Sequence, residues 1–332
     1  MLLPILALPL LLAGCGISGA TYANADKYKV GNAEFESSQI HSVDVSWASG
    51  DVDIVYHDDD TVLISEETSR ELSESEMMHY YLDGDKLMIK YNASGIRVFS
   101  LRETLSHPFT DNYKNLTITL PEDMRLDSVD LEVASATVNT PVINADKIGV
   151  DSASGAVTLG VKDASDVHIK SASGSITLGT NNASNISIDT ASGKVDLTSE
   201  GKTEKITLSS SSGEMKASLN GEVGELSTDS ASGSVAINAS KLKKLIVSSA
   251  SGRIDGTFDE APEEMTVDTA SGSIIMTLPE NAEFTVKKDT ASGKFRCDFP
   301  ITYESDDTFT CGSGTAEYSF ETASGDITIL KG

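Results

Sequence analysis

Apolar and polar residues alternate in short segments along most of the chain, and these segments recur at a nearly constant spacing. Around Gly193, for example, the alternation runs through residues 186–190 before the glycine and 194–198 after it. A period of two is typical of a half-buried β-strand, so each unit is predicted to be a strand, a Ser-Gly turn and a second strand. Glycine suits such a turn because it reaches positive φ without steric cost.

The turn carries the tripeptide Ala-Ser-Gly, or Ser-Ser-Gly at one position, and repeats every 19 to 21 residues. A repeat of this length predicts a solenoid, because one unit cannot bury its apolar face alone. Ala134-Ser135-Ala136 looks like an earlier copy that lost its glycine. The predicted structural turn glycines are Gly50, Gly155, Gly174, Gly193, Gly213, Gly233, Gly252, Gly272, Gly293 and Gly325.

Apolar residues also keep a fixed position relative to the turn glycine. Seven residues before it stand Ile148, Val167, Ile186, Ile206, Leu226, Leu245, Met265 and Val286. Two residues after it stand Val157, Ile176, Val195, Met215, Val235, Ile254, Ile274 and Phe295. Such columns are expected if each coil lies directly on the one before it, with parallel strands about 4.8 Å apart. The sequence therefore predicts an all-β fold, a parallel β-solenoid of about 19–21 residues per coil.

Aromatic residues cluster near both ends of the repeats, with only Phe258 between Tyr113 and Phe284. Terminal coils must cover an open core, so both clusters are interpreted as caps, with an aromatic carbohydrate platform as the alternative. The segment from Arg70 to Tyr81 is predicted to be a short helix or a loop, and residues 66–112 are expected to cover one outward face. The predicted organisation is a signal peptide (1–14), a lipid-anchored tether (15–38) and a solenoid (39–332), the last divided into N-terminal coils and cap (39–128), regular repeats (129–295) and C-terminal cap (296–332).

The N-terminus decides the predicted compartment. Residues 2–12 are almost wholly apolar, too short for an ordinary transmembrane helix and suited to the core of a signal peptide. They run into Leu12-Ala13-Gly14-Cys15, which resembles the bacterial lipobox, where cleavage precedes the cysteine and the cysteine receives lipid. No Lys or Arg precedes the apolar run, so a plain cleaved signal peptide is the alternative. Both interpretations place the mature protein outside the cytoplasm, and the first makes Cys15 a lipidation site that anchors it to the membrane.

The net charge and the positions of cysteine and histidine limit which partners, disulfides and metal sites are expected. A formal net charge of −26 argues against nucleic acid, whose binding needs a basic surface. Cys297 and Cys311 are predicted to form a disulfide in an oxidising compartment, with two buried thiols as the alternative. The histidines show no metal-ligand spacing, and the outward Asp column is interrupted by lysine and serine. No metal and no cofactor is therefore predicted.

Three segments carry a family resemblance: residues 47–54 (Trp-Ala-Ser-Gly-Asp-Val-Asp-Ile), 116–121 (Leu-Thr-Ile-Thr-Leu-Pro) and 322–329 (Thr-Ala-Ser-Gly-Asp-Ile-Thr-Ile). In these motifs and their order the chain resembles the bacterial family of putative adhesins, a β-strand-repeat domain of unknown function related to the LiaG-like envelope proteins. The resemblance covers residues 39 to 330. It implies a β-solenoid in the cell envelope and offers no catalytic residue to carry over.

The leading hypothesis is a non-catalytic, extracytoplasmic, lipid-anchored protein that binds a surface polymer or an envelope protein. A regulatory role in envelope stress is the alternative that the LiaG-like resemblance implies. A polysaccharide-active β-helix enzyme is the third, and hydrolysis would need two carboxylates opposed across a cleft. Outward positions do combine acids and bases, as with Asp196 and Lys216 or Asp255 and Arg296, but the loops between coils are short. No catalytic residue is predicted, and the protein is not expected to be an enzyme.

Overall fold

The computed structural model describes residues 22–94 and 113–332, so the predicted signal peptide and Cys15 lie outside the described residues. In the described ranges the regular structure is β-strand, apart from two short 3₁₀ helices, Ala25–Lys27 and Ser37–Gln39. No helix among these residues is long and apolar enough to cross a membrane. The prediction of an all-β fold is confirmed.

The strands fall into three groups along the chain. The N-terminal group is β1 (Lys29–Val30), β2 (Ala33–Glu36), β3 (Ser42–Trp47), β4 (Asp51–His57), β5 (Thr61–Thr68), β6 (His79–Asp83), β7 (Lys86–Lys90), β8 (Lys114–Pro121), β9 (Leu126–Val133) and β10 (Thr137–Ile143). The central group is β11 (Ala145–Ser152), β12 (Val157–Ser171), β13 (Ile176–Thr190), β14 (Val195–Ser199), β15 (Thr203–Ser210), β16 (Met215–Ser230), β17 (Val235–Ser249), β18 (Ile254–Phe258), β19 (Glu264–Thr269) and β20 (Ile274–Leu278). The C-terminal group is β21 (Phe284–Thr290), β22 (Phe295–Cys297), β23 (Thr302–Tyr303), β24 (Thr308–Cys311), β25 (Ala316–Thr322) and β26 (Ile327–Lys331).

Successive central coils pair as parallel strands with their predicted columns in register. Ile148 pairs with Val167 before the turn, and Val157 pairs with Ile176 after it. All four side chains are buried, and the columns join into one hydrophobic core. Ala136 is buried at the position that the glycine takes in later coils, so the interpretation of residues 134–136 as a turn without its glycine is confirmed. The β-solenoid predicted from the columns is the observed fold.

The C-terminal end departs from the predicted order of coils. Strands β25 and β26, the last in the sequence, lie between the coil of β19 and β20 and the coil of β21 and β22. In the turn column, Gly325 therefore stacks on Gly272, and Gly293 stacks on Gly325. Residues 296–332 are thus not all cap, because 316–331 form a complete internal coil. The cap at this end is β24, which runs antiparallel to β21, together with β23.

The N-terminal end is interlocked in the same way. The first coil in the sequence, β3 and β4, lies between the coil of β7 and β8 and the coil of β9 and β10. Antiparallel strands then close the end, with β6 and β1 beyond β7, and β5 and β2 beyond β8. In this order a regular coil lies inside the stack and the irregular coil lies at its edge. The antiparallel strands cover that edge coil, whose backbone would otherwise be open to pairing with another chain.

One further expectation about the N-terminal region is wrong, and a second is wrong for the residues that the structure describes. Residues 29–36 are not tether, because β1 and β2 pair with the cap and Phe35 packs against the core. Of the segment 66–112, residues 66–94 do not cover an outward face, because β6 and β7 extend the stack in its own plane, and residues 95–112 lie outside the described residues. Between Arg70 and Tyr81 the chain forms a loop and then enters β6. Within this loop the Glu76 carboxylate accepts hydrogen bonds from the amide and hydroxyl of Ser73, at 2.9 and 2.7 Å.

Because the C-terminus is interlocked, we expect slow hydrogen exchange in the last strand, β26. Backbone amides near a chain end normally exchange fast because the end frays. Here the amides of β26 should exchange as slowly as those of the central coils, and more slowly than those of β22, because β26 is paired on both sides. Native-state exchange read by mass spectrometry or NMR measures this directly. Faster exchange in β26 than in β22 would show that Gly293 follows Gly272 in the stack after all.

Candidate binding surface

The Ala-Ser-Gly turns form a tightly stacked corner. A Cβ atom added to Gly213 would lie 1.9 Å from the carbonyl oxygen of Gly193 below it, and Gly174, Gly193, Gly233 and Gly252 have the same close contact. The corner serines reinforce the stack, as when Ser192 Oγ donates to the carbonyl oxygen of Ala172 at 3.3 Å. These serines are structural.

Positive φ, the expected reason for glycine, is therefore wrong at most of these turns. Of the predicted turn glycines only Gly50 has a positive φ, at +93°, although Gly31, Gly84, Gly312 and Gly314 elsewhere also do. In the other turns glycine is required because the backbone of the neighbouring coil comes too close for a Cβ atom.

A column of buried hydroxyls supports the same corner, and the sequence reasoning missed it. Three residues before most turn glycines, a Ser or Thr accepts a hydrogen bond from the glycine amide, as Thr190 Oγ1 does from Gly193 at 2.9 Å and Ser210 Oγ does from Gly213 at 2.7 Å. Two coils differ, because Ser152 Oγ donates to the carbonyl oxygen of Gly155 at 3.0 Å and Ser249 Oγ is buried without a partner. Ser or Thr stands there in every regular coil, a signal that was present in the sequence: Ser152, Ser171, Thr190, Ser210, Ser230, Ser249, Thr269, Thr290 and Thr322.

Two threonines that are both buried make a matched test of this column. Thr190→Val should lower the free energy of unfolding by about 1–3 kcal/mol, because the Gly193 amide loses its partner in a buried site. Thr228→Val should leave it unchanged or raise it by roughly 1 kcal/mol, because Thr228 Oγ1 is buried without a hydrogen-bond partner. Urea unfolding followed by circular dichroism measures both. Equal effects of the two substitutions would contradict the assigned role of Thr190.

The outward side chains before each turn form a strongly charged surface, which we call the pre-turn face. Ion pairs run along it between successive coils, such as Lys205 with Glu225 at 3.0 Å and Lys244 with Glu264 at 3.0 Å. Towards the C-terminal end the carboxylates of Asp268, Glu321 and Asp289 stand in register. Burial, and then the neighbouring Glu321, raise the pKa of Asp268. This face is suited to cations or to ordinary solvation.

The outward side chains after each turn form a contrasting surface, the post-turn face. It comprises the residues one, three and five positions after each turn glycine, together with the outward residues of β8 and β10. Seven acidic and five basic residues lie on it, a net charge of −2 in a chain of −26: Asp51, Asp53, Asp196, Glu214, Asp255, Asp298, Asp326, Lys194, Lys216, Arg253, Lys294 and Arg296.

Most charges on the post-turn face have an opposite charge beside them. Lys194 pairs with Glu214 at 3.5 Å, and Arg253 pairs with Asp255 at 2.6 Å. The predicted combination of Asp196 with Lys216 is found as register neighbours on adjacent coils. The other combination is not found, because two coils lie between Asp255 and Arg296. Arg296 pairs instead with Asp298, at 3.2 Å.

The N-terminal part of the post-turn face has little charge and small side chains. One column across the coils reads Thr117, Asp53, Asn139, Thr158 and Thr177. Burial, followed by nearby Asp51, raises the pKa of Asp53, while a hydrogen bond with Asn139 opposes the shift.

The side chains of the adjacent column protrude less from the sheet and are more apolar. It passes from Thr119 to Val55, and then across a bulge with Val142 to Gly160 and Gly179. Val55 and Val142 are 37% and 43% exposed, unusual values for valine in this structure. At Gly179 an added Cβ would meet nothing within 4 Å, so the surface there is flat and open. We call the two columns together the Thr–Gly strip.

The depressions found on the described surface are shallow and show no catalytic arrangement. One, of about 270 Å³, is lined in part by His41, Asp60, Asp123 and Arg125. The Arg125 guanidinium donates to residues outside this depression, to Asn144 Oδ1 at 2.9 Å and to Asp146 Oδ1 at 3.2 Å. Across residues 22–94 and 113–332, no group of three or more His, Cys, Asp or Glu side chains could hold a metal ion.

The two described cysteines are free thiols at the C-terminal end. Cys311 is buried, with its Sγ 3.6 Å from the carbonyl oxygen of Ala282, and Cys297 is half-buried in β22. Burial is the main cause that raises the pKa of both thiols, and Cys311 raises that of Cys297 further. The predicted bridge between them stays a prediction.

A buried ion pair at the N-terminal end was also missed by the sequence reasoning. Lys114 Nζ lies 2.9 Å from Glu66 Oε2, with both side chains at most 7% exposed. The ammonium also donates to the carbonyl oxygens of Glu76, at 2.6 Å, and of Tyr91. Desolvation lowers the pKa of Lys114 although Glu66 opposes the shift. All three lysine donors are used within the cap, so this is a structural latch.

Comparison with known proteins agrees with the stacked fold. The model of one family, Toastrack DUF4097, matches residues 40–242 and 229–330, nearly all of the solenoid. The chain belongs to the Toastrack DUF4097 family. Toastrack DUF4097 is a β-repeat domain of unknown function, and the resemblance to adhesin-like repeat proteins inferred from the sequence is confirmed. Among curated proteins, none matches the sequence.

Three solved structures similar to this Toastrack chain each have 13% sequence identity to it. A putative cell adhesion protein from Clostridium sporogenes covers 92% of this chain and 100% of its own, with a TM-score of 0.27. A putative lipid binding protein from Parabacteroides distasonis covers 91% and 96%, with a TM-score of 0.44. A putative adhesin from Bacteroides fragilis covers 91% and 97%, with a TM-score of 0.34.

Proposed function

We propose that this chain is a non-catalytic, adhesin-like binding protein that works outside the cytoplasm. One observation carries the proposal: the post-turn face is a broad, exposed and nearly neutral sheet surface in a chain of net charge −26. Affinity from such a surface comes from many weak contacts along the stack and needs no deep pocket. The partner is a surface polymer or an envelope protein.

Retention on cell envelopes tests this function. Purified folded protein should sediment with envelope fractions, and heat-unfolded protein of the same sequence serves as the control for nonspecific adhesion. Separate fractions enriched in polysaccharide and in membrane protein show which partner class is bound. Failure of the folded protein to sediment with any fraction would refute the proposed function.

We also propose that Cys15 anchors the mature protein by lipid. The support is the Leu12-Ala13-Gly14-Cys15 sequence after an apolar run. Metabolic labelling with a fatty acid should label the wild-type chain and not Cys15→Ala. The variant should move from the membrane to the soluble extracytoplasmic fraction. Equal labelling of the two, or a soluble wild-type protein, would contradict the anchor.

A further inference from the structure

The Thr–Gly strip differs from the rest of the surface in three ways that together indicate a ligand. It carries one charged residue, Asp53, it exposes apolar carbon at Val55 and Val142, and it is flat and open at Gly179, next to Gly160 on which the backbone of Pro141 packs. Alongside these residues runs the column from Thr117 to Thr177, which offers three hydroxyls, the amide of Asn139 and the carboxylate of Asp53. The strip therefore has an apolar track with a polar border on one side.

This arrangement matches the chemistry of an uncharged sugar chain. A sugar ring has apolar C–H faces and a rim of hydroxyls, which both donate and accept hydrogen bonds. Threonine hydroxyls and the Asn139 amide also offer both donor and acceptor. Sites for small ligands generally combine an apolar lining with a few placed polar groups, and the strip offers this in an open, extended form.

Charge excludes the competing polymers from this strip. An anionic polymer would meet the carboxylates of Asp51 and Asp53 and the field of a chain of net charge −26. A cationic polymer would be drawn to the pre-turn face, where Asp268, Glu321 and Asp289 stand together. A neutral polymer is the one class that the strip does not repel.

We propose that the Thr–Gly strip binds an uncharged polysaccharide laid across successive coils. The coils repeat about every 4.8 Å along the stack, so a polymer running along it meets similar groups again and again. Individually weak contacts then add through the connected chain. This inference rests on the proposed binding function and names the partner class and the surface.

Affinity electrophoresis of the full chain tests the strip, with dextran, laminarin or hydroxyethyl cellulose as neutral probes and polygalacturonate as the anionic probe. Thr158→Glu with Thr177→Glu places two carboxylates in register on the strip. The matched control, Ser187→Glu with Thr207→Glu, places two in register on the pre-turn face. Mobility of each protein with polymer is divided by its own mobility without polymer, which removes the effect of the added charge.

At least one neutral polymer should retard the wild-type protein and the control variant equally, and the strip variant should need at least tenfold more polymer. Thr158→Ser with Thr177→Ser, which keeps the hydroxyls, should bind within about threefold of wild type. The proposal is overturned if no neutral polymer retards the wild type, if only polygalacturonate does, or if the two Glu variants are equally weakened. It is also overturned if the strip proves to be a dimer contact, seen as self-association that the strip variant abolishes.

The same variants separate this inference from the proposed function. If the strip variant still sediments with envelopes like the wild type, the protein binds but the strip is not the site. If the wild type sediments with no envelope fraction, the binding function itself fails.

Discussion

Gly213→Ala should be among the most damaging single substitutions in this protein. The added methyl would lie 1.9 Å from the carbonyl oxygen of Gly193 and 2.8 Å from its carbonyl carbon. Both atoms are backbone, so no side-chain rotation can relieve the contact, and the two coils must separate. We expect a loss of about 3 kcal/mol or more in the free energy of unfolding, the upper range for overpacking.

Gly179→Ala is the matched control, because an added methyl there meets nothing within 4 Å. Removing the flexibility of glycine from the unfolded chain should keep this variant within about 1 kcal/mol of wild type. Urea denaturation followed by far-ultraviolet circular dichroism compares the two. If both alanines cost the same, the close stacking of turn glycines is not what holds the corner together.

The central coils could be predicted because their signal is local and repeated. Each of Ile148, Val167 and Ile186 stands seven residues before a turn glycine, and stacking like on like is the one arrangement that buries them all. The same columns fixed which residues face outward, including Thr158 and Thr177. Their register across neighbouring coils followed from the repeat length alone.

The interlocked ends could not be predicted in this way. Gly293 follows Gly272 by 21 residues, close to the regular spacing, yet the coil of Gly325 lies between them. The order of coils at an end depends on which strand leaves the better edge, and that is a property of the folded stack. One hint was present, since the stretch from Thr322 to Gly325 repeats the full regular turn after a less regular segment.

The Thr–Gly strip depends on the same long-range order. Thr117 and Asp53 are far apart in sequence and become neighbours only because β4 is inserted beside β8. Sequence periodicity marks each of them as outward-facing but does not place them in one column. Likewise, the burial of Glu66 depends on a cap whose strands do not repeat.

Lys114→Met should destabilise the N-terminal end strongly. It leaves Glu66 buried with only the amide of Met78, at 2.9 Å, as a hydrogen-bond donor in place of the lysine. Breaking a buried pair by removing one partner typically costs about 3–5 kcal/mol. Trp47 reports this loss directly, because it is the sole tryptophan, its indole donates to the Lys114 carbonyl oxygen at 3.0 Å, and Lys114 Nζ lies 5.2 Å from its ring.

Two comparisons make this prediction specific. Lys205→Met breaks an ion pair of nearly the same length, 3.0 Å against 2.9 Å, but with side chains 56% and 28% exposed, so it should cost no more than about 1 kcal/mol. Lys114→Met combined with Glu66→Leu removes both buried charges and should regain much of the lost free energy of unfolding.

Denaturation followed by tryptophan fluorescence measures unfolding at the N-terminal end of the stack, and circular dichroism measures unfolding of the whole stack. If Lys114→Met shifts the fluorescence transition no further than Lys205→Met does, the buried pair does not latch the cap. If the double variant is no more stable than Lys114→Met, the damage comes from lost packing around Trp47 and Tyr91, and the unpaired Glu66 charge is not its cause.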